Sequence, residues 1–507
     1  MHNSSKRGKL KFHLLRLNRI LIPRRESIPT TGDSLIPVHH SVPHSHYFLH
    51  TYTLFFTYIY VKEVTMLRSG VHTMQVASGR PAATRVATRV CFPSCPVKSR
   101  DYAHRSCQYP LYKPRSNVLA HMAATPQEVS SQSQESVEFG HDLTVELEAA
   151  VKAVRLASHL CDNVQSQLRE SEKMEKGDSS PVTVADYGAQ VLTSWSLQRS
   201  LPGVEFKMVA EEDSDDLRAP EGAAMLRRIT DLVNYTLAEC EKDAPLLTPE
   251  DVIELIDAGR SDGGSTGRHW VLDPIDGTRG FVSMRQYAVC LGLLVDGEIG
   301  LGVLGCPNLP QWSVSDVDCN DGGCDPYDER GIGCCFAAHT GRGTFAGPLF
   351  VEKDEMPSIP VKCNDLLAAE EVRFMESVEA KHSNHHLSAA VAEEIGLELP
   401  SLRIDSQAKY GVLSRGDSSI FMRFPPDNYR EKIWDHVAGV AVLQEAGGVI
   451  TDALGNKLDF SQGRFLPYLN GGLIAATPSM HRAIIAALAK IRDDIPFGEG
   501  FKDPSEN

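Results

Sequence analysis

The sequence predicts a mixed α/β or α+β fold, on three observations. Apolar residues recur at three- and four-residue steps from Leu143 to Leu168, which marks one long amphipathic helix. Two strand-like runs, Tyr287 to Val295 and Glu298 to Gly305, flank Asp296-Gly297, a dipeptide suited to a tight two-residue hairpin turn. Helix-length and strand-length segments then alternate to the end of the chain.

The elements follow in order. After the first helix, a polar stretch from Lys173 to Ser180 breaks the pattern before Pro181-Val182-Thr183-Val184-Ala185-Asp186, and Tyr187 to Leu201 is helical. A short strand from Phe206 to Ala210 runs into Glu211-Glu212-Asp213. Ala223 to Cys240 is helical, and Thr248-Pro249-Glu250 has the signature of an N-cap with proline at the first helical position. Gly259 to Gly267 is a loop feeding the apolar strand that ends at Asp273. A second domain is expected from near Pro360, with helix His385 to Leu397, strand Ser418 to Phe424, helix Asp435 to Ala446 and strand Val449 to Thr451. The expected organisation is an extension over 1–125, an N-terminal α+β domain over 138–359 with an insertion at 316–331, a C-terminal α/β domain over 360–490, and a tail over 491–507.

Charge is unevenly spread over the 507 residues. Met1 to Thr125 carries 18 Lys/Arg against 4 Asp/Glu, and the remainder 33 against 62. An acidic body lacks the basic face that nucleic acids require, so no nucleic-acid partner is expected. Residues 66–122 are rich in Arg, Ser, Thr and Ala with Asp101 as the only acid, the composition of an organellar transit peptide. Chloroplast is the preferred address over mitochondrion, with cytoplasm the alternative if the extension is no signal. Translation is expected to begin at Met66 or Met74. The aromatic run from His46 to Val61 is too short and polar for a membrane span. A monomer without membrane association is expected. The twelve cysteines lack paired metal-site spacing and read as free thiols, with redox control of the Cys319/Cys324 insertion a minor alternative.

The chemistry is concentrated in Trp270-Val271-Leu272-Asp273-Pro274-Ile275-Asp276-Gly277-Thr278-Arg279-Gly280-Phe281. A strand ends in two carboxylates, Pro274 removes a backbone donor, and Gly277 permits a sharp bend. Two carboxylates and a carbonyl suit a hard cation such as Mg²⁺, which is commonly shared with a substrate phosphate. Asp186, Glu211 and Asp435 are the other acids that can join such a site. Each has a plainer reading: Asp186 as the cap of the following helix, Glu211-Glu212-Asp213 as a solvated acidic loop, Asp435 as the N-cap of a helix closed by Gly447-Gly448.

The twelve-residue string, with Trp434-Asp435-His436-Val437-Ala438-Gly439 and Glu445-Ala446-Gly447-Gly448 in the expected order, resembles the two motifs of the inositol monophosphatase-like superfamily of Mg²⁺-dependent, lithium-sensitive phosphatases. That resemblance implies a layered α/β/α/β/α sandwich of the inositol monophosphatase/fructose-1,6-bisphosphatase type, with the metal site between two halves. It implies that Glu211, Asp273 and the Ile275 carbonyl hold a first Mg²⁺, and that Asp273, Asp276 and Asp435 hold a second. Glu211 with Asp186 would contact a weaker third. Asp186 and Thr278 would orient the attacking water, and the amides of Gly277 and Thr278 would grip the phosphate.

Asp405-Ser406-Gln407-Ala408-Lys409-Tyr410, Phe421-Met422-Arg423-Phe424, Tyr429 to His436 and Lys381-His382-Ser383-Asn384-His385 resemble the 3′(2′),5′-bisphosphate nucleotidase branch. The resemblance implies a small nucleotide substrate, adenosine 3′,5′-bisphosphate cleaved to AMP, with 3′-phosphoadenosine 5′-phosphosulfate as a side substrate. Ser406, Lys409 and Arg423 would bind the 5′-phosphate, and His382 would lie near the adenine. An inositol phosphate phosphatase and a catalytically idle nucleotide sensor are the alternatives. Arg279, Asp213 and Val437 depart from the family pattern. Val437 is expected to crowd its helix start, and Asp213 to add charge beside Glu211.

Overall fold

The computed structural model describes residues 142–170, 181–314, 331–351, 355–366, 368–378, 383–426 and 429–494. The expectations for the front extension, the 173–180 break, the insertion up to residue 330, His382 and the tail beyond residue 494 lie outside the described residues, while 491–494, expected in the tail, continue the last helix.

Seven strands form the first sheet in sequence order: β1 Met208–Ala210, β2 Arg268–Asp276, β3 Ala288–Val295, β4 Glu298–Pro310, β5 Ile332–His339, β6 Gly343–Pro348 and β7 Ile359–Val361. In this sheet, among the described residues, only the β1–β2 pair is parallel. Five more strands, β8 Phe374–Glu376, β9 Leu402–Arg403, β10 Ile420–Arg423, β11 Val449–Asp452 and β12 Leu473–Ala476, make a second sheet in the order β11-β12-β10-β8-β9.

Side chains alternate along each strand, and this period of two sorts them into three cores. On β3, Val289, Leu291 and Leu293 join Leu160 and Leu192 of the two long helices, Thr144–Glu170 and Pro181–Ser200. Their neighbours Cys290 and Leu294 face the opposite core with Val440 and Leu443 from the helix Val437–Glu445. Phe421 and Ala475 of the second sheet line that same middle core. Ile420, Met422 and Ile474 point the other way, onto the helices His385–Glu394 and Pro478–Asp494. The layers therefore run helix, sheet, helix, sheet, helix, as expected. Among the described residues no helix is long and apolar enough to cross a membrane.

Several local expectations hold. At the hairpin, Asp296 and Gly297 have φ of 52° and 81°, so both central residues are left-handed, as a type I′ turn requires. Thr248 accepts from Asp251 N, whose carboxylate accepts from Thr248 N, a full capping box ahead of Pro249. The described cysteines are free thiols; Cys161, Cys290, Cys306, Cys334 and Cys335 are buried.

Two expectations need correction. The second helix starts at Pro181, six residues before Tyr187, because proline suits the first helical turn and Val182, Val184 and Ala185 are buried against the core. Asp186 is therefore inside the helix and caps nothing. Val437 does not crowd its helix start. Only 1% exposed, it packs onto Gly292 of β3, where any Cβ would collide with Val437 Cγ1.

That packing gives a first prediction. Gly292→Ala is expected to cost about 1–3 kcal/mol through overpacking, and adding Val437→Ala to recover most of it. Urea midpoints of the single and double variants measure this; strictly additive losses would contradict the contact.

Candidate active site

The site grows from the end of β2. The β2–β3 register shifts between Asp273 and Asp276, where Pro274 cannot donate to the ladder. Gly277 then takes φ 85° and ψ 46°, turning the chain into the short helix Thr278–Val282. A Cβ at Gly277 would stand 3.0 Å from Ser406 Cβ, so a bare backbone lets the two turns approach. Asp273 is 2% exposed at the floor, and its Oδ1 is buried without a hydrogen-bond partner. Asp276, half-buried beside it, accepts a 2.6 Å hydrogen bond from Gln407 N through Oδ2.

Glu211 arrives on the loop after β1. Gln190, from the second helix, fixes that loop: its Nε2 donates to the Glu212 and Ile256 carbonyls at 2.8 and 2.9 Å, and its Oε1 accepts from Glu212 N at 3.2 Å. Asp186 lies one helical turn before Gln190 on the same face. Asp435 comes from the 3₁₀ turn Ile433–Asp435, and the helix that follows has His436 as its N-cap, so Asp435 is not the cap residue.

Ten of the twelve expected site residues line one cavity of about 390 Å³: Glu211, Asp273, Ile275, Asp276, Gly277, Thr278, Ser406, Lys409, Arg423 and Asp435. Asp186, 7% exposed, is not part of that lining. His382 is outside the described residues. No hydrogen bond joins Asp186 to Thr278, whose hydroxyl donates to the Ile275 carbonyl at 3.4 Å.

Electrostatics mark the acidic end of the cavity as short of positive charge. Burial first, then Glu211, Asp276, Asp435 and Asp186, push the Asp273 carboxyl well above its ordinary value. Burial and then Asp276 do the same to Asp435. Burial, Glu212 and Glu211 raise Asp186, and burial with Glu211 raises Glu212 to about 7. Carboxylates crowded this way, one with an orphaned buried oxygen, with a carbonyl alongside, fit a hard divalent cation. Asp213 adds charge at this edge, as expected: after burial and Glu211 it raises Glu212, although its own side chain is exposed and accepts from Asp215 N at 3.0 Å.

The other end is basic and pinned. Lys409, 4% exposed, donates from Nζ to the carbonyls of Ile404 and Ser406 at 2.9 and 2.8 Å, and burial brings its pKa down to about 8. These bonds hold the turn in which Ser406 sits at φ 68°, a conformation side chains rarely adopt. Arg423 Nε donates to Glu431 at 2.7 Å, and His436 Nε2 lies 3.0 Å from the other Glu431 oxygen. Burial alone would raise Glu431, but Arg423 and His436 outweigh it and hold the group at about 2. Glu431, Asp435 and His436 bring ligand-type atoms within 4.8 Å of one another. Both Glu431 oxygens are already engaged, so that trio is a structural network in which Asp435 alone keeps its carboxylate for the cavity.

Sequence reasoning assigned no role to three residues that organise the site. Lys432 Nζ lies 2.9 Å from Glu211 Oε1 and over the Trp434 ring. Gln407 joins three segments, through Asp276, the Trp434 carbonyl and Gly439 N. Gln190 holds the acidic loop. Lys432 and Gln407 stand inside the quoted motif strings, a signal that position within a motif supplied without a function.

Comparison with known proteins is consistent with this geometry. A family model described as the inositol monophosphatase family matches residues 142–493. A 3′(2′),5′-bisphosphate nucleotidase of Oryza sativa is 44% identical over 353 residues, covering 69% of this chain and 95% of that protein. The 3′(2′),5′-bisphosphate nucleotidase 1 of Arabidopsis thaliana is 50% identical over 303 residues, covering 60% and 84%. A 3′(2′),5′-bisphosphate nucleotidase of Emericella nidulans is 40% identical over 346 residues, covering 67% and 96%.

Proposed function

Because the chain belongs to the inositol monophosphatase family, we propose that it is a Mg²⁺-dependent phosphatase releasing the 3′-phosphate of adenosine 3′,5′-bisphosphate to leave AMP. The similarity to 3′(2′),5′-bisphosphate nucleotidases points to a nucleotide, and one observation of the cavity supports its being a bisphosphate. The cavity has an acidic end suited to cations and a separate cationic end, Lys409 and Arg423 with the Ser406 turn. A substrate with two phosphates uses both ends; a single phosphate leaves the second idle.

In this reading Glu211, Asp273, the Ile275 carbonyl, Asp276 and Asp435 would hold two Mg²⁺, with Asp186 and Glu211 available to a third. When bound, such cations would supply a water of near-neutral pKa and screening of the phosphoryl oxygens. The chain's own residues position the reactants, which is most of what phosphoryl transfer asks of a protein. Asp186 and Thr278 orient the attacking water. The Gly277 and Thr278 amides, at the start of the short helix, bind the scissile phosphate. Lys409 and Arg423 bind the phosphate that stays, Arg423 keeping its fork direction through Glu431.

The test compares phosphate release from adenosine 3′,5′-bisphosphate and inositol 1,4-bisphosphate with Mg²⁺, before and after Asp276→Ala. The expected result is strong preference for the nucleotide and loss of both activities in the variant. Preference for the inositol ester would overturn the substrate; no release from the parent would favour a binding protein.

A further inference from the structure

A second hollow, of about 320 Å³, opens beside the site and shares Pro425, Pro426 and Tyr429 with it. Its lining mixes exposed apolar side chains, Leu454 at 51%, Tyr468 at 64% and Tyr429 at 41%, with polar Arg430, Asn470 and the buried Glu431. Large apolar side chains gathered at one concave place usually have an occupant.

The hollow is built from fastened parts. Asp452 ties its two loops together, accepting from Leu454 N at 2.9 Å through Oδ1 and from Asn470 Nδ2 at 2.7 Å through Oδ2. Gly472, at φ 137°, lies against β10, where a Cβ would come within 2.6 Å of the Arg423 carbonyl and the Phe424 ring.

Its position selects the occupant. The Arg423 guanidinium stands over the Tyr429 ring at 5.6 Å, so the seam between cavity and hollow is the end proposed to hold the 5′-phosphate. A group attached beyond that phosphate crosses the two prolines and meets Tyr429 and Tyr468. Tyrosine and proline faces suit a flat ring, and the linking phosphate is the 5′-phosphate already assigned to Lys409 and Arg423.

We propose that this hollow is a subsite for the base of a second nucleoside, so that the enzyme also takes 3′-phosphorylated dinucleotides. The reaction is unchanged: water adds to the terminal 3′-phosphorus, the P–O bond to the 3′ carbon's oxygen breaks, and a 3′-hydroxyl and inorganic phosphate leave. The inference rests on the nucleotidase reading above.

The experiment measures KM and kcat for adenosine 3′,5′-bisphosphate and for diadenylate 3′-phosphate with the parent, Tyr468→Ala and Tyr468→Phe. The expected result is that Tyr468→Ala raises KM for the dinucleotide roughly tenfold, the usual effect of losing one base–aromatic stack. Mononucleotide kinetics stay within about twofold, and Tyr468→Phe, which keeps the ring, behaves as the parent. An equal rise for both substrates would assign the hollow to the mononucleotide's own base and overturn the proposal. So would no rise for either, or a parent that hydrolyses only the mononucleotide. Hydrolysis of neither by the parent overturns the nucleotidase reading and this subsite with it.

Discussion

Asp273→Asn is expected to lower phosphate release by more than about a thousandfold, about 4 kcal/mol in the barrier, while making the chelator-treated protein more stable. The two effects share one cause. Asp273 is 2% exposed, has a buried oxygen without a partner, and faces Glu211, Asp276, Asp435 and Asp186. A carboxylate so placed is useful only with a cation, and without one it repels its neighbours. The amide keeps the shape and removes the charge, which relieves that repulsion. Because the folded value lies above the ordinary 3.8, the carboxyl's contribution to stability is present below that pH and is lost as pH rises through the folded value. In EDTA the parent should therefore lose stability with rising pH more steeply than the variant. Added Mg²⁺ should raise the melting temperature of the parent and leave the variant nearly unmoved. Retained activity, or a variant that melts lower than the parent in EDTA, would contradict this account of the site.

Local features of this fold were legible in the sequence because short-range geometry produces them. Asp296-Gly297 needs two left-handed residues, and Thr248-Pro249-Glu250-Asp251 contains every partner of its own cap. The acidic turn was legible for the same reason: Asp273, Pro274, Asp276 and Gly277 shape one another over five residues. Where partners lie far apart, the sequence was silent. Lys432 meets Glu211 across 221 positions, and Gln407 meets Asp276 across 131. The start of the second helix was misjudged because Val182-Thr183-Val184 has strand-like chemistry, and its helical state draws on Pro181 at the first turn and on the burial of Val182 and Val184 in the core. Val437 shows the same limit in reverse. Its bulk looked like a conflict until β3 supplied Gly292 opposite it. The tyrosine-lined hollow had no sequence signal, since its walls come from three separate loops.

Glu431→Gln is expected to cost about 3–5 kcal/mol of folding stability, the usual penalty for breaking a buried ion pair from one side. The Glu431 side chain is 1% exposed and stands between Arg423 at 2.7 Å and His436 at 3.0 Å, with Tyr410 closing the chain on His436 Nδ1 at 2.9 Å. The amide leaves the Arg423 guanidinium, itself 17% exposed, with no carboxylate at its Nε. Since Glu431 is held at about 2 against an ordinary 4.5, its contribution is complete above pH 4.5 and is lost as pH falls through 2. The parent's stability should thus fall more steeply than the variant's over that acid interval. Substrate KM should rise as well, because Arg423 no longer has its direction fixed. A paired change separates the two roles. Arg423→Met in the Glu431→Gln background removes the orphaned charge and should recover most of the urea midpoint while leaving KM high. If the midpoint is not recovered, the loss arises elsewhere in the Tyr410–His436 network; if KM recovers with it, Arg423 does not bind the second phosphate.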